Sequence, residues 1–150
     1  MNYISINSPV GFLTVFEEDG AITVVEWGRV PEPVETPLLT EARRQLDAYF
    51  DRKLEVFDLP LKPEGTAFQR SVWDGMLKIP YGLTQTYGAL AKSIGSVPRA
   101  VGGACGRNPI PIIIPCHRVT GANGKLTGFS GGEGVRTKQQ LLTLENNTLL

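Results

Sequence analysis

The stretch TYGALAKSIGSVPRAVGGACG, residues 86–106, decides how the second half of the chain folds. Its first part, from Tyr87 to Ile94, predicts a short helix, and Gly95-Ser96-Val97 predicts a tight turn. Pro98 suits the first turn of a following helix that runs to about Gly106. Two short helices around a glycine-containing turn are typical of a helix-turn-helix, and the alternative is an ordinary helical hairpin.

The second of these helices has almost no side-chain bulk. Arg99 is its one long polar side chain, and the helix also contains Gly102, Gly103 and Gly106. A glycine in a helix interior lowers helix stability by ~1 kcal/mol relative to alanine, so the presence of these glycines requires an explanation. They permit either close packing against a neighbouring helix or close approach to a nucleic-acid backbone.

The front half of the chain predicts a small antiparallel sheet followed by a helix. Alternating apolar runs at 3–6, 12–16 and 22–27 are typical of strands. Apolar residues then recur at helical spacing from 38 to 50, and the proline-rich segment 59–65 reads as a connection. We therefore predict an α+β protein with two domains. Residues 1–62 form the sheet with its helix, and residues 63–150 form a mostly helical domain that contains the helix-turn-helix at about 86–106.

Composition narrows the class of protein. Of the 150 residues, 41% are hydrophobic and 20% are charged, as in ordinary globular proteins. No apolar run reaches the ~18 residues of a membrane span, and the first residues lack the basic and apolar regions of a secretory signal. We therefore expect a cytoplasmic protein with no membrane partner, in which Cys105 and Cys116 are reduced thiols.

The formal net charge of zero conceals an uneven distribution. Residues 1–65 carry 6 Lys and Arg against 12 Asp and Glu, whereas residues 66–125 carry 7 against one. A basic middle segment favours an anionic partner, although chance clustering would explain the same counts.

The candidate reactive cluster is PCHRV, residues 115–119. The apolar run 110–114 leads into Cys116, which is followed by His117, the only histidine, and by Arg118. A nearby cation lowers the pKa of a thiol and favours the nucleophilic thiolate. The alternative is a small buried cysteine beside a hydrogen-bonded histidine. One histidine and two cysteines cannot make a closed four-ligand metal site, so we expect neither a metal nor a cofactor.

Taken together, these motifs resemble the O6-alkylguanine-DNA alkyltransferase family, also called methylated-DNA–protein-cysteine methyltransferases. The matching segments are IPYG at 79–82, TYG at 86–88, RAVG at 99–102, NP at 108–109, IIPCHRV at 113–119, GKLTGFS at 124–130, Lys138 and LLTLE at 141–145. The resemblance covers about half of the chain by motif. Residues 1–62 fit the family's N-terminal domain only in outline.

The resemblance implies a DNA-repair enzyme that reacts once. Such a protein binds double-stranded DNA as a monomer, enters the minor groove and flips the damaged guanine into a pocket. Cys116 would attack the alkyl carbon on O6 of guanine, and O4-alkylthymine is a second candidate substrate. Because the resulting thioether is not removed, each molecule would transfer one alkyl group.

The resemblance assigns the chemistry to four residues. Cys116 would be the nucleophile, and His117 would take its proton through a water molecule. Glu145 would orient the imidazole and stabilise its charged form. Asn108 would hold the turn that links the recognition helix to the active-site segment. The alternative for Glu145 is a charge on a helix surface.

The resemblance also implies which residues hold the base and the DNA. Tyr87, which could instead be a core aromatic, would crowd the target phosphate and donate a hydrogen bond to the leaving guanine. Arg99 would fill the gap left by the extruded base. The carbonyls of Cys116 and Val119 would accept the exocyclic amine, and Ser130 would lie beside O6. The remaining contacts are assigned to Phe129 in the pocket and to Ala100 and Gly103 on the DNA.

The chain departs from the family pattern at three places. Phe129 stands where the family commonly has tyrosine, the segment 95–99 is shorter than usual, and the segment 131–135 is longer than the family's commonest form.

Two other function classes remain open. A non-enzymatic protein of the same fold would bind alkylated DNA without repairing it, but it would lack the cysteine found at 116. A cysteine hydrolase would use a similar nucleophile and base, but the helix-turn-helix and the basic middle segment argue against it.

Overall fold

The structure is a computed structural model that describes residues 1–129 and 131–146 and the backbone of residues 148–149. It begins with an antiparallel sheet in the order β1 (Asn2–Ser8), β2 (Gly11–Glu18), β3 (Ala21–Trp27). Alternate residues of these strands are buried against α1 (Pro37–Phe50), as period-two side-chain alternation requires. The predicted sheet and helix of the front half are confirmed.

Local signals set where α1 and the next helix begin. The Thr36 side chain accepts a hydrogen bond from the Leu39 amide and so caps α1. Thr66 and Gln69 form a reciprocal capping box at the start of α2 (Ala67–Leu77). The segment between the two helices runs along the edge of β3, where the Ile22 amide donates to the Pro60 carbonyl at 2.8 Å.

The predicted helix-turn-helix is present. Strand β4 (Leu83–Thr86) leads into α3 (Tyr87–Ser93), and the Thr86 hydroxyl caps α3 by accepting from the Ala89 amide at 3.0 Å. Gly95 has a φ of +70°, which permits the turn into α4 (Pro98–Gly106). The indole of Trp73 on α2 donates to the Ala104 carbonyl at 2.9 Å and fixes α4 from its buried side.

A second sheet was not expected from the sequence. Strands β5 (Val119–Thr120) and β6 (Thr148–Leu149) both pair parallel to β4, in the order β5-β4-β6. Helix α5 (Val135–Glu145) follows β5 along the chain. Strands of two to four residues are too short to show a period in the sequence, which is why this sheet was missed.

One continuous core joins the two halves of the chain. Buried side chains of the first sheet and α1 belong to the same cluster as those of α2, α4 and the apolar run 110–114. Both halves of the chain therefore pack around the apolar run 110–114 that leads to Cys116. Within the described residues, no helix is both long and apolar enough to cross a membrane.

Candidate active site and DNA-binding face

Cys116 lies at the end of the buried run that the sequence predicted. Ile110, Ile112 and Ile114 are buried, and Cys116 starts a single turn of 3-10 helix that ends at Arg118. Ile112 has a φ of +73°, an unusual value for a β-branched residue that costs about 1–3 kcal/mol. The half-buried Cys116 faces a cleft of about 580 Å³ between β3 and the second half of the chain.

Asn108 fixes the segment between α4 and Cys116. Its Nδ2 donates to the Ile114 carbonyl at 2.8 Å, and its Oδ1 accepts from the Ile110 amide at 3.0 Å. These two hydrogen bonds join Asn108 to both ends of the run 110–114 and so stabilise the strained turn. The structure thus puts Asn108 at the turn where the sequence expected it.

The charge environment of the thiol differs from the one that the sequence suggested. Burial raises the pKa of Cys116, while a side-chain hydrogen bond from Asn108 and the charge of Lys138 oppose that rise. The expectation that the adjacent arginine supplies the cation is wrong, because the Arg118 guanidinium binds Glu145 and the Ile79 carbonyl instead. The thiol is therefore protonated before substrate binds.

Glu145 is buried at the end of α5, with only 2% of its surface exposed, so the alternative of a surface charge is wrong. Its Oε2 lies 2.7 Å from His117 Nε2 and accepts from Arg118 Nη2 at 3.0 Å and from the Tyr49 hydroxyl at 2.5 Å. Its Oε1 accepts from Arg118 Nε at 2.8 Å. Burial alone would raise the pKa of Glu145, but the hydrogen bond from His117 and the hydrogen bonds and charge of Arg118 lower it to about 2. Glu145 is a carboxylate at neutral pH.

The Glu145 carboxylate fixes the tautomer of His117. A carboxylate only accepts hydrogen bonds, so His117 Nε2 carries the proton and Nδ1 holds the free lone pair. Burial lowers the pKa of His117, which keeps the ring neutral. Nδ1 is buried and has no hydrogen-bond partner among the described residues. The histidine is therefore a neutral base whose Nδ1 can accept a proton, beside the thiol-bearing residue.

Lys138 and Tyr49 are the site residues to which sequence reasoning gave no role. Lys138 is fully buried on α5, and its Nζ donates to the Val119 carbonyl at 2.5 Å and the Thr127 carbonyl at 2.9 Å. One signal was available in the sequence. Lys138 and Glu145 share helical spacing with the apolar Leu141 and Leu142, and all four lie on the buried face of α5.

Two of the predicted site residues, Tyr87 and Phe129, are aromatic, and Phe129 lines the cleft. Tyr87 is half-buried at the start of α3, and its hydroxyl donates to the Thr127 carbonyl at 3.3 Å. Phe129 is half-buried, lines the cleft and meets the Trp27 ring edge-on, with ring centroids 5.9 Å apart. Val119 is buried one residue beyond the 3-10 turn. The predicted pocket residue Ser130 lies outside the described residues.

The outer face of α4 is exposed and flat. Arg99, Ala100 and Gly103 are exposed, and a Cβ atom added at Gly102, Gly103 or Gly106 would meet nothing within 4 Å. The alternative that these glycines allow close helix packing is therefore wrong. The surface they leave suits a partner whose own backbone approaches the helix closely. Across the described residues there is no group of three or more His, Cys, Asp or Glu side chains that could hold a metal ion.

Comparisons with known proteins match the whole length of the chain. The family described as 6-O-methylguanine DNA methyltransferase, ribonuclease-like domain, matches residues 1–63, and its DNA binding domain matches residues 67–147. A methylated-DNA–protein-cysteine methyltransferase of Methanosarcina acetivorans is 45% identical, over 98% of this chain and 99% of its own. One of Mycolicibacterium paratuberculosis is 44% identical, over 97% and 92%. The crystal structure of Mycobacterium tuberculosis OGT in complex with DNA has a TM-score of 0.88 and 44% identity, covering 97% of this chain and 93% of that one.

Proposed function

Because the chain belongs to the O6-alkylguanine-DNA alkyltransferase family, we propose that Cys116 is its alkyl acceptor. The activity is that of a methylated-DNA–protein-cysteine methyltransferase, which repairs DNA by transferring an alkyl group to a cysteine. The assignment rests on the His117–Glu145 pair, because His117 directly follows Cys116 in the sequence. Cys105 also lines the cleft, but its Sγ contacts the Met76 sulfur at 3.6 Å, and burial raises its pKa to about 12.

The transfer forms one bond and breaks one. Cys116 Sγ bonds to the alkyl carbon, and the bond from that carbon to O6 of guanine breaks, leaving its electron pair on the base. The thiol proton passes to His117 Nδ1 through a water molecule, and a proton returned to the base restores neutral guanine. The Cys116 thiol and the His117 imidazole are both neutral before the reaction. The thiolate and the imidazolium therefore form only as the proton is transferred. Glu145 stabilises the imidazolium, and the thioether stays on the protein.

Tyr87 acts on the leaving base. Burial raises the pKa of Tyr87 to about 12, so its hydroxyl keeps its proton, and on substrate binding it exchanges the Thr127 carbonyl for the guanine as its hydrogen-bond acceptor. The carbonyls of Cys116 and Val119 accept the exocyclic amine. Lys138 Nζ also donates to the Val119 carbonyl, and a carbonyl oxygen can accept two hydrogen bonds. Phe129 packs against the base.

The DNA partner is a duplex that carries O6-alkylguanine, with O4-alkylthymine as a second candidate lesion. The exposed face of α4 enters the minor groove, where Ala100 and Gly103 permit close approach and Arg99 fills the space of the flipped base. The protein acts as a monomer in the cytoplasm. Residues 1–62 and 63–150 are its two domains, with the helix-turn-helix and PCHRV in the second.

The two alternative functions predict different products. A non-enzymatic alkylated-DNA-binding protein leaves the lesion in the DNA, and a cysteine hydrolase releases its product and turns over. Digestion of the duplex after incubation, followed by chromatography of the nucleosides, measures the lesion directly. We expect O6-methylguanine to disappear and guanine to appear in equal amount with wild type and with Cys105→Ala, but not with Cys116→Ala. Unchanged O6-methylguanine with active, folded wild type would contradict the proposal.

A further inference from the structure

We propose that Trp27, on the N-terminal sheet, is a positioning residue for alkyl transfer, because its indole ring holds the described residues of a glycine-rich segment, 128–129 and 131–134, against the cleft in front of Cys116. This inference rests on the proposed function. It gives the first half of the chain a part in the reaction, since Trp27 ends β3 and lies 89 positions before Cys116 in the sequence.

The Trp27 ring is itself fixed by its neighbours. Its Nε1 donates to the Val10 carbonyl at 3.0 Å, so the turn between β1 and β2 sets the orientation of the indole. The backbone of Trp27 is paired with Leu13 in the sheet. Because both the backbone and the ring nitrogen are held, the indole is a rigid surface.

The backbone of the glycine-rich segment lies directly on that surface. A Cβ atom added at Gly131 would stand 2.4 Å from Trp27 Cζ3, and one added at Gly132 would stand 2.8 Å from Trp27 Nε1. Separations under 3 Å are repulsive, so the two glycines allow the chain to approach the indole this closely. The Phe129 ring meets the same indole at 88°.

The hydrogen bonds of the segment's described residues lie at its C-terminal end. The Gly134 amide donates to the Gly131 carbonyl, the Glu133 amide donates to Thr137 Oγ1, and the Gly134 carbonyl accepts from the Lys138 amide. Gly128, Gly132 and Gly134 have positive φ values. Glycine residues have a flexible backbone, so contacts must restrict it if the segment is to keep one conformation. Trp27 supplies the apolar contact that does so.

The contact matters for chemistry because the same residues line the cleft. Trp27, Phe129, Gly131 and Gly132 border the cleft of about 580 Å³ together with Cys116. If the segment moves away from the indole, Phe129 moves with it, and the wall against which the flipped base packs is displaced. A displacement of about 1 Å near reacting atoms can lower a rate by roughly 100-fold.

The experiment separates the alkyl-transfer step from DNA binding. Single-turnover rate constants on a saturating O6-methylguanine duplex and dissociation constants for the same duplex are measured for each full-length variant, along with its thermal unfolding temperature. We expect Trp27→Ala to lower the rate constant by about 10-fold or more, with the dissociation constant within about twofold of wild type. Trp27→Phe should recover most of the rate, because a smaller ring still covers the glycines.

A size exchange tests the contact itself. Gly131→Ala should slow transfer, because its methyl group collides with the indole, and adding Trp27→Ala should restore part of the lost rate, because the ring that caused the collision is gone. Phe12→Ala is the matched control, an aromatic residue of the neighbouring strand that is 43% exposed and does not line the cleft. It should behave as wild type.

Two results would overturn the inference. One is a Trp27→Ala rate constant within about twofold of wild type, and the other is a double variant whose losses add in the manner of independent sites. If Trp27→Ala fails to fold, Gly131→Ala and Trp27→Phe provide the test instead. Full activity of Gly131→Ala would also contradict the contact. Failure of the proposed function is distinct, since wild type itself would then transfer no alkyl group.

Discussion

The Tyr49 hydroxyl and the Glu145 carboxylate, 96 positions apart in the sequence, share a buried hydrogen bond of 2.5 Å. The bond joins α1 of the N-terminal half to the last residue of α5. Burial, followed by the nearby Glu145 charge, raises the pKa of Tyr49, so the hydroxyl remains a donor. The carboxylate that holds the His117 tautomer is thus itself held by a residue of the first half of the chain.

Replacing Tyr49 by phenylalanine removes one of the donors to Glu145 while leaving Arg118 and His117 in place. We expect unfolding free energy to fall by about 1 kcal/mol, and the alkyl-transfer rate to fall by less than about 10-fold. Urea unfolding and single-turnover kinetics measure the two effects. Tyr81→Phe, on a ring that packs 6.3 Å from Tyr49, is the control. A Tyr49→Phe rate more than about 10-fold below that of wild type would show that the phenol does more than hold the carboxylate.

Acid should weaken the fold through Glu145. Its pKa in the folded protein is about 2, below the ordinary value of 4.5, so unfolding takes up a proton between these pH values. The contribution of Glu145 to stability is therefore complete above pH 4.5 and is lost as the pH falls from there towards 2. Urea titrations across this range should show a decline that the double variant Glu145→Gln/Arg118→Met lacks.

Two single variants serve as comparisons for the acid-unfolding test. Glu145→Gln alone leaves the buried Arg118 charge unpaired, so it should destabilise by about 3–5 kcal/mol and more than the double variant. The pKa of Glu41 is also lowered to about 2 by Arg44, but this pair is on the surface. Glu41→Gln should therefore leave the acid decline almost unchanged. An unaltered decline in the double variant would mean that other carboxylates cause it.

The elements that the sequence predicted have local signals at their ends. Thr66, Thr86 and Pro98 mark helix starts, and the structure begins α2, α3 and α4 next to them. The pair of Cys116 and His117 was also visible, because the two residues are adjacent. What the sequence could not show is proximity between distant segments. The contacts of Tyr49 with Glu145 and of Trp27 with the glycine-rich segment depend on how the two halves pack.

Arg118 shows how adjacency in sequence can mislead. Its position two residues after Cys116 suggested that its charge acts on the thiol, yet the 3-10 turn directs the guanidinium to Glu145. The cation that opposes the rise in the thiol pKa is Lys138, which lies 22 positions after Cys116 in the sequence. The sequence signal for its burial was its helical spacing with Leu141, Leu142 and Glu145.

DNA affinity should depend on Arg99 and not on the thiol. Because Arg99 is exposed at the start of α4, Arg99→Ala should weaken duplex binding by roughly 10-fold. Cys116→Ala should bind as wild type does, and the affinity of both should decline as salt rises, since binding releases counterions. Fluorescence anisotropy measures these constants. The control is Arg43→Ala, in which the replaced arginine is a half-buried residue of α1 paired with Glu35. A loss equal to that of Arg99→Ala would contradict the assigned surface.

The ring of Phe129 should matter more than a hydroxyl at that position. Phe129→Tyr adds a donor worth about 1 kcal/mol at most, so its single-turnover rate should stay within about 10-fold of wild type. Phe129→Ala removes the ring that lines the cleft and packs on Trp27, so it should lose far more. Equal rates for Phe129→Ala and wild type would place the ring outside the substrate pocket.

The central claim is that one molecule transfers one alkyl group to its own Cys116. The most direct test is the intact mass of the protein after incubation with excess O6-methylguanine duplex, with peptide mapping of the modified residue. We predict one methyl group per chain, located on the peptide that contains Cys116, and no further loss of lesion once all protein is modified. Continued turnover of the duplex, or a methyl group on Cys105 in place of Cys116, would contradict the account.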